Sequence, residues 1–227
     1  MQSSYYDQEH CQAMGKKNNG NGRSMEGIYS FYSPFYDLIF GKVLEAGRKQ
    51  AFNYLNTSNK KVLEVGIGTG LTLSHYPKSC HIVGIDISAK MIERAKERVK
   101  KMGNGLKVDL EVMDACRMTF EDNTFDAVLS PYVITTVEDP HQFCREMLRV
   151  CKPGGQIIIV NHSKDPDRFF AKIESLTSPF FARVGFVTDL DVVSLVKSTE
   201  IEIQKVINCN LFNLHKIILG QKPLPVS

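Results

Sequence analysis

The residue types with the clearest chemical meaning lie between positions 62 and 86. An apolar run ends at Glu64, and alternating glycines follow at Gly66, Gly68 and Gly70. Such a turn lets the backbone approach a ligand at points where a Cβ would collide. Asp86 ends a second apolar run about 20 residues further on. A carboxylate at that position can accept hydrogen bonds from both hydroxyls of a ribose. The pattern therefore predicts a site for a nucleoside cofactor.

The spacing of the glycines separates two kinds of nucleotide turn. The dinucleotide fingerprint requires a small residue at position 71, but this chain has Leu71, and its third glycine comes one residue early at Gly70. The order E-x-G-x-G-x-G followed by Asp86 resembles motif I and its acidic partner in class I S-adenosylmethionine (SAM) methyltransferases. In that family the loop encloses the methionine end of SAM. A generic tight turn in an α/β protein is the alternative interpretation.

The same resemblance implies cofactor contacts across residues 61–161. Glu64 would orient the methionine portion, Asp86 would bind the ribose, and Asp114 would accept from the exocyclic amine of adenine. For Asp114, an ordinary surface loop is the alternative. The candidate cofactor-binding residues are Glu64, Gly66, Ile67, Gly68, Thr69, Gly70, Asp86, Ile87, Met91, Asp114, Ala115 and Ser130, together with Tyr32 from the aromatic segment before the sheet. The product would be S-adenosyl-L-homocysteine.

Strand-like and helical segments alternate along the chain, which predicts right-handed βαβ units around a parallel sheet. The predicted strands are Lys61 to Val65, His81 to Asp86, Leu106 to Met113, Phe125 to Ser130, Gln156 to Asn161, Glu200 to Cys209 and Leu211 to Leu219. The clearest helices are Ala89 to Met102 and His141 to Cys151. The Pro-Gly-Gly run at 153–155 would end a helix and reverse the chain. We expect an α/β, Rossmann-like methyltransferase sheet, mostly parallel and seven-stranded, with one antiparallel edge strand and helices on both faces.

Composition limits the class of partner. A net charge of +3 over 227 residues is too small and too dispersed for a nucleic-acid footprint. The six cysteines show neither C-x-x-C nor metal-ligand spacing, which predicts reduced thiols, a cytoplasmic protein and no metal site. No secretory signal or long apolar span is evident, so any membrane association should be peripheral. The sequence leaves the oligomeric state open.

The sequence divides into three regions. Residues 1–24 are polar and should form a disordered tail. Residues 25–58 should form an aromatic, amphipathic helical segment that starts near Ser33-Pro34 and runs to about Leu55. Residues 59–227 should form the SAM-binding domain, with a substrate-covering insertion at about 163–190.

Aromatic residues are concentrated in residues 28–42, just before the sheet. Aromatic faces attract sulfonium and quaternary ammonium groups. A site lined by these rings would therefore suit an amine that is methylated repeatedly to a quaternary product. Ordinary core or lid packing is the alternative for most of these rings. Tyr29 and Tyr32, just before the predicted helix, are the best candidates for ligand contact.

Four segments resemble the soluble bacterial phosphatidylethanolamine N-methyltransferases of the Rhodobacter type. They are Phe35 to Val43, Leu63 to Leu71, Ser130 to Val133 and Val160 to His162. The resemblance implies stepwise methylation of phosphatidylethanolamine to phosphatidylcholine, with SAM as donor. It also implies peripheral association with the anionic inner face of the cell membrane through a helix spanning 34–55. Lys42, Arg48 and Lys49 suit an interfacial helix, although the same apolar stripe could instead pack on the sheet.

The acceptor amine needs a group that receives its proton, because a lipid amine should have a pKa near about 10, as lysine has. Tyr29, Tyr132 and His162 are the candidate catalytic residues, with a purely structural histidine as the alternative for His162. Arg183, in the insertion, is the candidate for binding the lipid phosphodiester, with a solvated surface charge as the alternative.

Two other functions remain open at this point. The core motifs would equally serve a SAM-dependent methyltransferase of a small molecule or quinone. A non-catalytic SAM-binding or membrane-scaffolding protein is a further alternative, which the complete glycine loop and Asp86 argue against.

Overall fold

The computed structural model describes residues 44–56, 60–103, 105–162, 190–209 and 215–225. Within them, seven strands form one sheet: β1 (Lys61–Val65), β2 (His81–Asp86), β3 (Lys107–Val112), β4 (Phe125–Pro131), β5 (Cys151–His162), β6 (Glu202–Cys209) and β7 (His215–Gln221). The helices are α1 (44–52), α2 (Ala89–Met102), α3 (Pro140–Val150) and α4 (Val192–Lys197), with a 3₁₀ turn at Leu71–His75. The predicted tail (1–24) and most of the predicted insertion lie outside the described residues.

The sheet has the strand order β3-β2-β1-β4-β5-β7-β6. Strands β1 to β5 pair in parallel, whereas β7 pairs antiparallel with both β5 and β6. This confirms the predicted α/β, mostly parallel seven-stranded fold. The reversed strand lies one position in from the edge, with β6 outermost. The strand order changes direction between β1 and β4, the position at which open α/β sheets bind ligands.

Of the two longest described helices, α2 has the predicted bounds, and α3 begins and ends one residue before the predicted His141 to Cys151. The Ser88 hydroxyl accepts from the Met91 N–H and caps α2, while Gly103 ends it in the left-handed region at φ 54°. The Asp139 carboxylate caps α3 through the Gln142 N–H at 2.9 Å, with Pro140 at the first helical position. These caps fix where each helix starts relative to the strand end before it.

Helices cover both faces of the sheet. On one face, Ala51 of α1 and Ile92 of α2 pack with Leu55 and Leu73 against the strands. On the other face, the core includes buried side chains of α3 and α4, among them Phe143, Met147, Val192 and Val196. One face of the described part of the predicted interfacial segment is buried, since Ala51 is 0% exposed and Leu55 7%, whereas Glu45, Ala46 and Lys49 are exposed. The membrane docking of this segment stays a prediction.

Strand β5 begins at Cys151 rather than at the predicted Gln156. The Pro-Gly-Gly run lies inside this strand instead of reversing the chain before it. Pairing with β4 shifts register between Phe125 and Ala127, which marks a bulge. A Cβ on Gly155 would lie 2.6 Å from the Cys151 sulfur, so the bulge requires glycine at this position.

Candidate active site

A cavity of about 420 Å³ opens at the carboxyl ends of the central strands. Its size falls within the range typical of small-molecule and cofactor sites. Contributions come from the ends of β1 and β2, the turns after β3 and β4, helix α1 and the start of α3. The predicted residues that line it are Glu64, Gly66, Ile67, Gly68, Thr69, Asp86, Ile87, Met91, Asp114, Ala115 and Tyr132.

The glycines of the loop after β1 have different roles although all three have positive φ, at 71°, 56° and 76°. A Cβ on Gly66 would overlap Cγ2 of Val133, so this glycine lets the loop pack against the turn after β4. A Cβ on Gly68 would meet nothing within 4 Å. Gly68 therefore lies beside open space in the cavity, where a ligand could approach the backbone.

The loop is not built as a phosphate cradle. Four of its N–H groups already donate within the protein. They belong to Gly66, Ile67, Gly68 and Gly70, and their acceptors are the Ile85 carbonyl, the Asp86 carboxylate and the Ile67 carbonyl, at 2.8–3.0 Å. Phosphate-binding loops instead direct such N–H groups at the ligand. This geometry disfavours a pyrophosphate-containing dinucleotide.

Asp86 joins the glycine loop to the end of β2. One carboxylate oxygen accepts from the Gly68 N–H at 3.0 Å, and the other accepts from the Ser88 N–H at 2.9 Å. Burial raises the pKa of Asp86, and these two backbone hydrogen bonds oppose the increase. The carboxylate is thereby held in one orientation at the cavity wall, which is what bidentate recognition of a ribose requires.

The far end of the cavity offers a slot for a flat ring. Met91 is buried beneath it, whereas Ile87 is 62% exposed, an unusual state for a large apolar side chain. Asp114 accepts from the Cys116 N–H at 2.8 Å, which folds the turn after β3 around Ala115. A bound adenine would cover Ile87 and reach this turn.

Glu64 is fully buried at the opposite end of the cavity. It accepts from the Thr72 hydroxyl at 2.6 Å and from the Tyr76 hydroxyl at 2.9 Å. Burial raises the pKa of Glu64 from an ordinary 4.5 to about 7, against the lowering effect of both hydroxyls and of the nearby Arg48 charge. A cationic group that enters the cavity beside Glu64 would stabilise the ionised form of this carboxyl group.

Tyr132 directly follows β4 and adopts a left-handed backbone with φ 63°. Its hydroxyl donates to the Leu44 carbonyl of α1 at 3.3 Å, and its ring meets the His215 ring edge-on at 5.5 Å. The Arg48 guanidinium lies 5.9 Å from the ring centroid. The left-handed backbone of Tyr132 is strained for a residue other than glycine. Strain of this kind persists only where the surrounding structure fixes it, and it is concentrated at functional sites.

The sequence reasoning missed three residues of this site. Arg48 was assigned to an interfacial helix face, but it lines the cavity, while its neighbour Lys49 is exposed. Thr72 and Tyr76, which hold Glu64, carried no recognisable spacing. Only the helical offset between Arg48 and the buried Ala51 could have indicated that Arg48 turns toward the sheet.

Two predicted cofactor residues do not line the cavity. Ser130 is 0% exposed and shares the sheet face of Val128, because alternate residues of a strand point to the same side. Its hydroxyl has no hydrogen-bond partner among the described residues. Gly70 packs inward instead, since a Cβ there would lie 2.7 Å from Leu73 and 3.4 Å from Ala95. It closes the loop onto α2 rather than facing a ligand.

Three predicted site residues, Tyr29, Tyr32 and Arg183, lie outside the described residues. The backbone of His162 ends β5, where it pairs with His215, but its side chain also lies outside the described part. The preceding Asn161 is buried and donates to the Thr135 hydroxyl at 3.1 Å.

The arrangement fits SAM. It combines a carboxylate at ribose spacing, an apolar slot for adenine, an approachable glycine and an acidic group at the methionine end. Within the described ranges, no group of three or more His, Cys, Asp or Glu side chains could hold a metal ion. None of the helices described here is both long and apolar enough to cross a membrane.

Comparison with known proteins agrees with this geometry. A family profile described as a methyltransferase domain matches residues 63–159. Phosphatidylethanolamine N-methyltransferase of Cereibacter sphaeroides is 36% identical over 168 residues, covering 74% of this chain and 83% of the relative. The ubiquinone/menaquinone biosynthesis C-methyltransferase of Geobacter sulfurreducens is 32% identical over 173 residues, covering 72% of this chain and 66% of the relative.

Solved structures share the fold at lower identity. Phosphoethanolamine N-methyltransferase 2 of Haemonchus contortus, solved in complex with SAM, gives a TM-score of 0.62 at 19% identity, covering 88% of this chain and 57% of that one. A chain of the complex between the Haloferax volcanii Trm112 methyltransferase activator and a methyltransferase gives 0.73 at 14% identity, covering 90% and 100%. Fold, cavity and relatives agree, and the chain belongs to the class I SAM-dependent methyltransferases, with SAM as its cofactor.

Proposed function

We propose that this methyltransferase converts phosphatidylethanolamine stepwise to its mono-, di- and trimethylated forms at a membrane surface. The observation that carries the proposal is the 36% identity to a phosphatidylethanolamine N-methyltransferase across 83% of that relative's length. This similarity extends beyond residues 63–159, the part that matches the general methyltransferase profile.

For the cofactor, the residues divide according to the three parts of SAM. Glu64 holds the ammonium of the methionine portion, and Asp86 holds the ribose hydroxyls. Asp114 and Ala115 bind the adenine edge, while Ile87 and Met91 cover its faces. These roles follow the positions of the side chains around the cavity.

The bound cofactor would supply a sulfonium methyl group, whose carbon would form a bond to the unprotonated amine nitrogen as its bond to sulfur breaks and S-adenosylhomocysteine leaves as a neutral thioether. The protein must therefore orient the amine and receive one proton in each of the three rounds. The Tyr132 hydroxyl already donates to the Leu44 carbonyl, so we assign its ring to orienting the acceptor beside the methyl group. His162 and Tyr29 remain the proposed proton acceptors.

Residues outside the described part complete the proposal for the lipid. Tyr32 and the other aromatic residues before α1 would cover the methyl-transfer site, and Arg183 would bind the phosphodiester. Because one face of α1 packs on the sheet, docking on the anionic inner face of the cell membrane would use residues before 44 and the exposed face of α1 that carries Lys49.

A quinone is the second candidate acceptor. The 32% identity to a quinone C-methyltransferase favours it, although that match covers 66% of the relative. The two acceptors differ in the atom that attacks the methyl group, nitrogen in the lipid and carbon in the quinone. The products therefore distinguish them without ambiguity.

A methyl-transfer assay with labelled SAM decides between these acceptors. Vesicles would contain phosphatidylethanolamine and an anionic lipid, or the same lipids with a demethylated quinone. We expect label in mono-, di- and trimethylated phosphatidylethanolamine. Label in the quinone alone would establish the second candidate, and no label in either acceptor despite SAM binding would contradict both.

Exchanging Asp86 for asparagine should abolish both SAM binding and labelling. The matched control is Asp109→Asn, because Asp109 is an exposed carboxylate on neighbouring β3 that pairs with His81 and does not line the cavity. Unchanged SAM affinity in Asp86→Asn would contradict the ribose assignment.

A further inference from the structure

Helix α1 brings a positive charge to the methionine end of the cavity. Arg48 lines the cavity together with Glu64 and Gly66. Its guanidinium lies 5.9 Å from the centroid of the Tyr132 ring, which fixes its position beside the turn after β4. Its charge also lowers the pKa of Glu64, so the two groups are close enough to interact electrostatically.

The methionine portion of SAM is a zwitterion, and its carboxylate needs hydrogen-bond donors if it is to leave water. The glycine loop is a poor source of donors, because the N–H groups of Gly66, Ile67, Gly68 and Gly70 already donate to protein oxygens. A basic side chain at this end of the cavity would supply stronger, charged donors.

Among the described residues that line the cavity, only Arg48 and Arg117 are basic. Arg117 follows the turn at Asp114, at the adenine end, and its N–H donates to the Asp114 carbonyl at 3.1 Å. Arg48 is at the other end, beside Glu64. The charges thus match the zwitterion, with an acid for the ammonium and a guanidinium for the carboxylate.

We propose that Arg48 binds the carboxylate of SAM, as the partner of Glu64, and that α1 is therefore part of the cofactor site. A guanidinium suits this role because its forked N–H groups can bind both oxygens of a carboxylate. This assignment concerns the cofactor alone and does not depend on the identity of the methyl acceptor.

Paired ligands test the contact directly. Decarboxylated SAM keeps the adenosine, the sulfonium and the ammonium but lacks the carboxylate. Calorimetry should show that Arg48→Gln weakens SAM binding on the order of 30-fold, the scale of a lost charged hydrogen bond. Its affinity for decarboxylated SAM should change less than about threefold. Arg48→Lys should lose less SAM affinity than Arg48→Gln, because it keeps the charge.

The matched control is Lys49→Gln, which removes the same charge from an exposed neighbouring position of α1. We expect its affinity for both ligands to stay within about twofold of wild type. Unchanged binding of decarboxylated SAM in Arg48→Gln would also show that the variant is folded. Equal weakening of both ligands, or no weakening of SAM, would overturn the assignment.

Discussion

Tyr76 donates its phenolic hydrogen to Glu64 at 2.9 Å, in a buried contact behind the end of the cavity that Glu64 lines. Phe52 of α1 packs edge-on against the Tyr76 ring at 4.7 Å. Helix α1 therefore supports the acidic group from behind through Phe52 and approaches it from the cavity side through Arg48. Burial raises the pKa of Glu64 to about 7, so small changes in its surroundings shift the balance between its protonated and ionised forms near neutral pH.

The stability of the apo protein should fall as Glu64 ionises. The pKa of Glu64 is about 7 in the fold and 4.5 ordinarily, so folding favours its protonated form. This contribution is fully present below the ordinary pKa and is lost as the pH rises through 7. Between about pH 4.5 and 8, wild type should lose about 3 kcal/mol more free energy of unfolding than Glu64→Gln. Urea denaturation at several pH values measures this difference, and parallel pH profiles would contradict it.

Cofactor binding should show the opposite pH trend. The ammonium of S-adenosylhomocysteine favours the ionised form of Glu64, so binding should release a proton near neutral pH. Calorimetry in two buffers with different ionisation enthalpies would reveal this release. In Glu64→Gln the proton release should disappear and the affinity should fall on the order of tenfold. A proton release that persists in Glu64→Gln would assign it to another group.

Removing the Tyr76 hydroxyl should loosen Glu64 without emptying the core. Tyr76→Phe keeps the ring packed against Phe52 but removes one hydrogen bond to the carboxylate. We expect about 1–2 kcal/mol lower free energy of unfolding and several-fold weaker S-adenosylhomocysteine binding. Tyr54→Phe is the control, because Tyr54 lies beyond α1 and does not line the cavity. Equal effects in the two variants would mean that the Tyr76–Glu64 contact contributes nothing specific.

Alanine at Gly66 and at Gly68 should produce different defects. A Cβ at Gly66 overlaps Val133, so Gly66→Ala should cost about 2–4 kcal/mol of stability. A Cβ at Gly68 meets open space, so Gly68→Ala should cost only about 1 kcal/mol of backbone strain while it obstructs the cofactor. Thermal unfolding and SAM titration separate these two effects.

A second substitution tests the steric explanation for Gly66. Val133→Ala removes the methyl group that a Cβ at Gly66 would overlap, so it should restore part of the stability lost in Gly66→Ala. Additive losses in the double variant would place the cause in backbone strain alone.

Arg149 should matter more to stability than its helical neighbour Arg145. Arg149 bonds the Glu146 carboxylate and the carbonyls of Met118 and Phe120, so it ties α3 to the loop after β3. The Arg145 side chain is 61% exposed and lies 3.8 Å from Asp139. We expect Arg149→Met to lose about 2–3 kcal/mol in denaturation and Arg145→Met less than about 1. Similar losses would show that the network is worth no more than a surface pair.

Local signals determined how much of the fold could be predicted. The bounds of α2 were predicted correctly because Ser88 and Gly103 mark its ends chemically. The start of β5 was wrong because a bulge keeps Pro-Gly-Gly within the strand, and a bulge depends on pairing with β4, which no local pattern encodes. The residues between β6 and β7 lie outside the described part, so the predicted break between the runs Glu200 to Cys209 and Leu211 to Leu219 stays a prediction.

The site divides in the same way. Asp86 and the glycine loop follow from spacing along a single βαβ unit, and the structure brings both to the cavity. Arg48 and Tyr76 reach Glu64 only because α1 and the 3₁₀ turn pack on the same face of the sheet. Ser130 was predicted to contact the cofactor, but its side chain is buried and does not line the cavity. Its motif gives a position along the strand and not the direction of the side chain.

The most direct test of the proposed function is lipid mass spectrometry in a host that makes phosphatidylethanolamine but no methylated form of it. Expression of the wild-type chain should produce mono-, di- and trimethylated lipid in succession, while expression of Asp86→Asn at the same level should produce none. If cells that contain folded, SAM-binding wild-type protein make no methylated phosphatidylethanolamine, the proposal is contradicted.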